Sequence, residues 1–156
     1  RRMNTDNYQA KLNNAAQMIA KADYTVFLGL GTSGSLSEYA TKYFVNTGLR
    51  SFVISDPFQA VQVQGMGNVV AVIMSVSGET EQVVNKELEF KAGGAKIISI
   101  TNDENATISK LSDLNFSYYL IDEYASNKSI NKLILTTQLP VLALIEILAH
   151  HVRVAQ

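Results

Sequence analysis

A chain of 156 residues, 47% of them hydrophobic, has the size of one domain and enough apolar side chain for a sizeable core. Thirteen basic residues against fourteen acidic ones leave a net charge of -1, so no global field gathers nucleic acid by phosphate neutralisation, and the absence of cysteine removes disulfides, thiolate nucleophiles and cysteine metal sites. The start, Arg1-Arg2-Met3-Asn4, lacks the apolar core of a secretory signal; the most apolar stretch, Leu139 to Ala149, is too short to cross a bilayer and contains Glu146, so no membrane partner and a cytoplasmic location are expected.

In chain order, Leu12, Ala15, Ala16 and Ile19 recur at helical spacing and predict a lead-in helix over about 7–21. Thr25 to Leu28 then switches to a short apolar strand. Leu36, Tyr39, Ala40, Tyr43 and Phe44 predict an amphipathic helix from Ser35, with Gly48 where a helix stop belongs. Ser51 to Ile54 reads as strand, Pro57 to Gln64 as helix, Val69 to Met74 as a fully apolar strand, and Gln82 to Lys91 as helix closed by Gly93-Gly94. Ala95 to Ile100 is the next strand, Thr107 to Leu111 a short helix, Phe116 to Ile121 a last strand, and Tyr124 to Ser129 a polar connection in which Ser129 is a candidate cap. A final helix over about Asn131 to Val152 is apolar on nearly every side between Leu139 and Ala149, which suits packing on a sheet and on a second subunit, so a homodimer or higher oligomer is expected.

Short strands that are apolar on both faces and alternate with helices imply a parallel sheet covered on both sides, a three-layer α/β/α sandwich. Within it one unit occurs twice. Aligning Ser33 with Ser77 also aligns Thr25–Leu28 with Val69–Val72 and, after a small length adjustment, Ile54-Ser55-Asp56 with Ile100-Thr101-Asn102. Each copy has a serine-rich turn between strand and helix: Gly-Thr-Ser-Gly at Gly31 to Gly34, and Ser-Val-Ser-Gly-Glu-Thr at Ser75 to Thr80.

Such turns suit a phosphorylated ligand, because a helix N-terminus offers unpaired N–H groups and the positive end of its dipole. Gly31, Gly34 and Gly78 allow sharp bends close to a ligand, and Ser33, Ser75, Ser77 and Thr80 supply hydroxyls. Right-handed crossovers place both turns on the same sheet edge, facing one cleft. Either turn alone reads first as an ordinary turn and helix cap; two in matching contexts favour an anion cradle. Gly29 and Gly31 could instead open a dinucleotide fold, a reading ranked below the phosphate one. Glu79 would repel a phosphate, so its side chain is expected to turn toward solvent, a sugar hydroxyl or backbone donors.

Phe27-Leu28-Gly29-Leu30-Gly31-Thr32-Ser33-Gly34, Ser75-Val76-Ser77-Gly78-Glu79-Thr80 and Gly94-Ala95-Lys96-Ile97-Ile98-Ser99-Ile100-Thr101 resemble the three motif blocks of the sugar isomerase (SIS) domain, in their usual order. The resemblance implies a flavodoxin-like sheet, dimerisation and a phosphosugar ligand, with Ser33, Ser75, Ser77 and Thr80 as phosphate and sugar contacts. It makes residues 1–156 a single SIS phosphosugar-binding domain. The stretch Thr136-Thr137-Gln138-Leu139-Pro140 to Leu148 is similar to the effector domain of RpiR-type transcriptional regulators. Those regulators carry a helix-turn-helix domain before the SIS domain. That part is missing here, and the chain opens without an initiator Met, so DNA is expected as a partner only through a segment outside this chain.

The implied function is sensing of a sugar phosphate; the alternative is a stand-alone aldose-ketose isomerase resembling hexulose-phosphate isomerases. An isomerase needs a base near the sugar carbons. Glu146, alone in its apolar run, is the one weak candidate, standing equally for a sugar-hydroxyl acceptor or a solvent-facing side chain. His150 and His151 sit where histidine suits a helix end, and adjacent residues cannot both face one ion, so neither a metal nor a cofactor is expected. The polar run Thr101 to Asn105 reads as a turn and capping segment.

Overall fold

The computed structural model describes residues 5–118 and 138–156. Its elements follow the order α1 (Thr5–Ala20), β1 (Tyr24–Leu28), α2 (Thr32–Val45), β2 (Ser51–Ile54), β3 (Val69–Met74), α3 (Glu81–Ala92), β4 (Lys96–Thr101), α4 (Thr107–Leu111), β5 (Leu114–Ser117) and α5 (Leu139–Ala155). All strand pairings are parallel, in the order β2-β1-β3-β4-β5, which is the flavodoxin-like arrangement.

The period-2 alternation of a strand sends successive side chains to opposite faces. On β3, Val70, Val72 and Met74 join Phe27, Ile98, Ile100 and Phe116 under α1, α2 and α5. Val69, Ala71 and Ile73 join Val26, Leu28, Ile54 and Ile97 under Val83 and Phe90 of α3 and Ile108 of α4. The domain is therefore a three-layer α/β/α sandwich. Every residue of β3 is buried. At roughly 1.5–3 kcal/mol for each large apolar side chain fully removed from water, this central strand anchors both cores.

The predicted helix over Pro57 to Gln64 does not form. The chain from Ser55 to Asn68 is irregular. Asp56 starts a turn instead, its Oδ1 accepting the Phe58 amide at 2.9 Å and its carbonyl the Gln59 amide at 3.1 Å. Only Val63 in this stretch is buried, so there is no apolar stripe for a helix to hide. Lys86 on α3, itself 4% exposed, fixes the segment by donating to the Gln59 carbonyl at 2.8 Å.

Smaller differences lie at helix and strand ends. α1 starts at Thr5, and α2 starts at Thr32 rather than Ser35, so the first serine turn is itself the first turn of the helix. The last described strand is Leu114–Ser117; residues 119–121 of the predicted strand, the connection Tyr124 to Ser129 and the first part of the predicted final helix, 131–137, lie outside the described residues. α5 begins at Leu139 with Pro140 in its first turn, where a missing amide hydrogen costs no helix bond.

Glu87 on α3 is fully buried. Ser112 Oγ lies 3.0 Å from Glu87 Oε1 and 2.6 Å from the Ile108 carbonyl, and it owns one hydrogen for two acceptors. A protonated Glu87 satisfies both contacts by donating to Ser112. Burial pushes this carboxyl up to about 7, against the opposing pull of Ser112 and Lys91 and with a further push from Asp113. Because the folded state holds its proton above the ordinary carboxylate range, stability is greatest below that range and declines as pH rises from about 4.5 toward 7. Glu87→Gln is expected to flatten that decline and to gain about 1 kcal/mol at pH 8, checked by urea unfolding at pH 5 and pH 8.

Candidate functional site

β1 and β3 lie side by side at the centre of the sheet, with Leu28 opposite Ile73. The helix after β1 packs on one face and the helix after β3 on the other, so the chain leaves these two strand ends in opposite directions. That divergence opens a crevice at the carboxyl edge, the place where open α/β sheets bind ligands. Both serine turns stand there, on strands about 4.8 Å apart.

In the first turn the backbone is drawn tight by glycine. A Cβ on Gly29 would strike the Ser33 carbonyl and come within 2.8 Å of Ser37 Oγ, and one on Gly34 would lie 3.0 Å from the Gly29 carbonyl. Gly31, at φ 58°, makes the bend that starts α2. Ser33 is buried in this turn, and Ser37 Oγ donates to its carbonyl at 2.8 Å. Gln138, just before α5, reaches Thr32 Oγ1 at 3.5 Å.

The second turn is held by its own serines. Ser75 Oγ accepts the Gly78 amide at 3.1 Å and Ser77 Oγ the Glu79 amide at 3.2 Å. Bonds from the Asn102 amide to the Val76 carbonyl at 2.9 Å, and from the Ile108 amide to the Gly78 carbonyl at 3.0 Å, dock the turn on the end of β4 and on α4. Gly78, at φ 68°, packs so closely that a Cβ would fall 2.5 Å from that of Ala106.

These bonds alter the expected donor set. The Gly78 and Glu79 amides are turned to serine oxygens, so they are not open to a ligand. A hydroxyl that accepts an amide hydrogen still has its own hydrogen to give, so Ser75 and Ser77 remain donors. Neither Gly31 at the mouth of α2 nor Thr80 at the mouth of α3 makes a side-chain cap bond, which leaves the opening amides of both helices, Glu81 and Gln82 in α3, without a capping side chain, while the Val83 amide bonds to the Thr80 carbonyl at 3.0 Å. Ser77 is exposed, while Ser33 and Ser75 are buried. The arrangement is rich in hydroxyl and amide donors, suited to an oxygen-rich anion, with the Glu79 and Glu81 carboxylates at the mouth of α3.

Glu79 finds backbone and hydroxyl donors, one of the three partners expected for it. Its Oε1 accepts the Thr107 amide at 2.8 Å and its Oε2 the Thr107 hydroxyl at 2.6 Å. The Thr107 side chain and then its amide hold this carboxyl below the usual range. Asp103 closes a local turn with the Asn105 amide at 2.8 Å, as a capping segment should.

Glu146 is exposed on α5 and accepts the Tyr39 hydroxyl at 2.7 Å; that bond is the main reason the phenol is raised above its ordinary value. Tyr39 stands six residues beyond Ser33 on α2, about 9 Å along the helix, so Glu146 is engaged away from the turns. His151 Nδ1 lies 2.9 Å from the Ile147 carbonyl, and its Nε2 is 3.1 Å from Gln9 Nε2, tying α5 to α1; His150 is exposed beside it. Among the described residues no cluster of three His, Cys, Asp or Glu side chains is placed to hold a metal.

Three residues escaped the site prediction. Gly29 sits in the first motif block and could have been found from its place at the strand end. Thr107 carried no local signal, since its partner lies 28 residues away, whereas Ser37 bonds to the carbonyl four residues before it, a contact open to local reasoning. The glycines at 29, 31 and 34 do stand at the Gly-x-Gly-x-x-Gly spacing of a dinucleotide turn. Spacing alone therefore does not separate that reading from a phosphate cradle; the second serine turn across the crevice does.

The family description "SIS domain" matches residues 18–145. Over 103 residues the chain is 29% identical to an uncharacterized HTH-type transcriptional regulator of Clostridium perfringens, covering 65% of this chain and 37% of that protein. Over 108 residues it is 28% identical to the arabinose 5-phosphate isomerase KpsF of Escherichia coli, covering 67% and 33%. The chain thus spans about a third of the length of these curated relatives. Among solved structures, the sugar isomerase domain of an RpiR transcription factor from Sphaerobacter thermophilus superposes with a TM-score of 0.74 at 12% identity, over 93% of this chain and 78% of that one. The Vibrio vulnificus NanR protein complexed with ManNAc-6P gives 0.75 at 18% identity, over 92% and 53%.

The tight seat of Gly78 makes a direct test of the second turn's geometry. Gly78→Ala combines a left-handed backbone with a collision on Ala106, and is expected to cost roughly 1–3 kcal/mol of stability, measured by urea unfolding.

Proposed function

The chain belongs to the SIS domain family, and from that premise we propose that it is a phosphosugar-sensing effector domain of an RpiR-type transcriptional regulator. The phosphoryl group rests between the Ser33 and Ser77 turns, with Ser75 and Thr80 completing the contacts and Gly31, Gly34 and Gly78 allowing the backbone to close on it. The observation that carries this reading is the pair of uncapped helix N-termini at neighbouring strand ends, flanked by serine hydroxyls that keep a hydrogen to donate. A sugar phosphate is the ligand because such a site needs an anion, and because the NanR neighbour is complexed with ManNAc-6P.

DNA is contacted by a segment outside this chain, as the name of the Clostridium relative suggests. The domain works in the cytoplasm; no helix of the described residues is long and apolar enough to cross a membrane. It acts as a homodimer. Ile147 and Val154, at 42% and 75% exposure, fall seven residues apart along α5 and give one apolar stripe for a second copy. The ligand transmits its signal by its differential affinity for two arrangements of the subunits.

The rival reading, a phosphosugar isomerase, is favoured by the KpsF relatives. Among the described residues, the candidate base Glu146 is engaged by Tyr39 away from the turns, and Glu79 beside the second turn is engaged by Thr107. Incubation with pentose and hexose phosphates, followed by NMR, separates the two, with no interconversion expected and turnover defeating the sensor reading. By calorimetry, Ser77→Ala is expected to weaken binding of a bound sugar phosphate about tenfold or more with the fold intact, since a charge-assisted hydrogen bond contributes about 1.5–3 kcal/mol. Unchanged affinity removes Ser77 from the site. The unphosphorylated sugar is expected to bind far more weakly than its phosphate; equal binding would place the ligand elsewhere.

A further inference from the structure

Glu79 occupies a position at which a carboxylate ought to harm the site. It immediately precedes Thr80, the N-cap of α3, and carboxylates are favoured at helix N-termini because they bind the same first-turn amides that an anionic ligand would use. Left to itself, this side chain would compete with the phosphoryl group or repel it.

We propose that Thr107 is a positioning residue for the anion site, holding the Glu79 carboxylate on the N-terminus of α4 and away from the donors at the mouth of α3. The inference rests on the phosphosugar reading above. Both oxygens of Glu79 are engaged by this one residue, at 2.8 Å by its amide and 2.6 Å by its hydroxyl. Thr107 is the first residue of α4, so the carboxylate rests on that element and not on α3. The latch is anchored independently of its own hydroxyl. The Ile108 amide bonds to the Gly78 carbonyl at 3.0 Å, and Ala106 packs against Gly78. Ser109 Oγ bonds to the Asp103 carbonyl at 2.6 Å and lies 2.7 Å from Thr101 Oγ1, which ties α4 to the end of β4. Removing the Thr107 hydroxyl should therefore leave α4 in place and the carboxylate held by the Thr107 amide alone, one bond instead of two, so that it turns toward the donors of α3 for part of the time.

The test is a double-mutant cycle read by calorimetric titration with arabinose 5-phosphate and with inorganic phosphate, on the wild type, Thr107→Val, Glu79→Gln and the double variant. Thr107→Val is expected to weaken binding roughly threefold to tenfold, the size of a carboxylate brought within a few ångströms of a dianion in water. Glu79→Gln alone is expected to stay within about twofold of the wild type, because its charge already faces away, and the double variant to match Glu79→Gln. Thr107→Ser, which keeps the hydroxyl, should bind as the wild type does. Unchanged affinity in Thr107→Val, or a loss that Glu79→Gln does not rescue, overturns the proposal. If Thr107→Val fails to fold by circular dichroism, Glu79→Gln alone still decides: a clear gain in affinity would mean that the carboxylate faces the ligand in the wild type. A wild type that binds neither probe would remove the phosphosugar reading, whereas a binding wild type with an indifferent Thr107 removes only this inference.

Discussion

The site depends on one constraint, the convergence of two helix N-termini on adjacent strand ends with no side chain to cap either. Sheet order creates the crevice, because β1 and β3 are neighbours whose following helices depart to opposite faces. Glycine then permits the approach. Gly29 lies against the Ser33 carbonyl and Gly78 against Ala106, contacts with no room for a Cβ. Unpaired first-turn amides would be a defect in a buried helix end; at an open sheet edge they become binding capacity.

The rest of the fold serves to hold those ends still. The six buried residues of β3 belong alternately to the two cores, so the strand that carries the second turn is fixed from both sides. The turn is further shaped by its own hydroxyls, with Ser75 and Ser77 accepting amides three and two residues ahead, respectively. This is preorganisation: the loop is folded before a ligand arrives, so less ordering entropy opposes binding. α4, only five residues long, is the brace on the far side, joined to the turn through Gly78, Glu79 and Ala106. Its other end meets α3 through Ser112 and the buried Glu87.

The sheet and the two turns were legible because their signals are local. Val69 to Met74 is apolar without interruption, and β3 spans those same residues. The repeated strand, turn, helix, strand unit likewise appears as β1-α2-β2 and β3-α3-β4. What escaped depends on contacts distant in the chain. Pro57 to Gln64 has a plausible helical composition, yet tertiary bonds from Lys86 and the Asp56 turn determine its path. The seating of Glu79 on Thr107, 28 residues away, follows from folded geometry that no spacing rule encodes, whereas the bonds of Ser75 and Ser77 to the Gly78 and Glu79 amides are local serine turns that were open to one. Residue types thus pointed to the turns on which the anion site is proposed, and the structure shows which of their amides serine oxygens already engage.

The most direct measurement is an amide and hydroxyl NMR titration of the isotopically labelled chain with a sugar phosphate. The account predicts that resonances of Thr32 to Gly34, Ser75 to Thr80, and Glu81 and Gln82 shift together along a single saturation curve. Shifts confined to one turn, or centred on a region away from the carboxyl edge of β1 and β3, would contradict it.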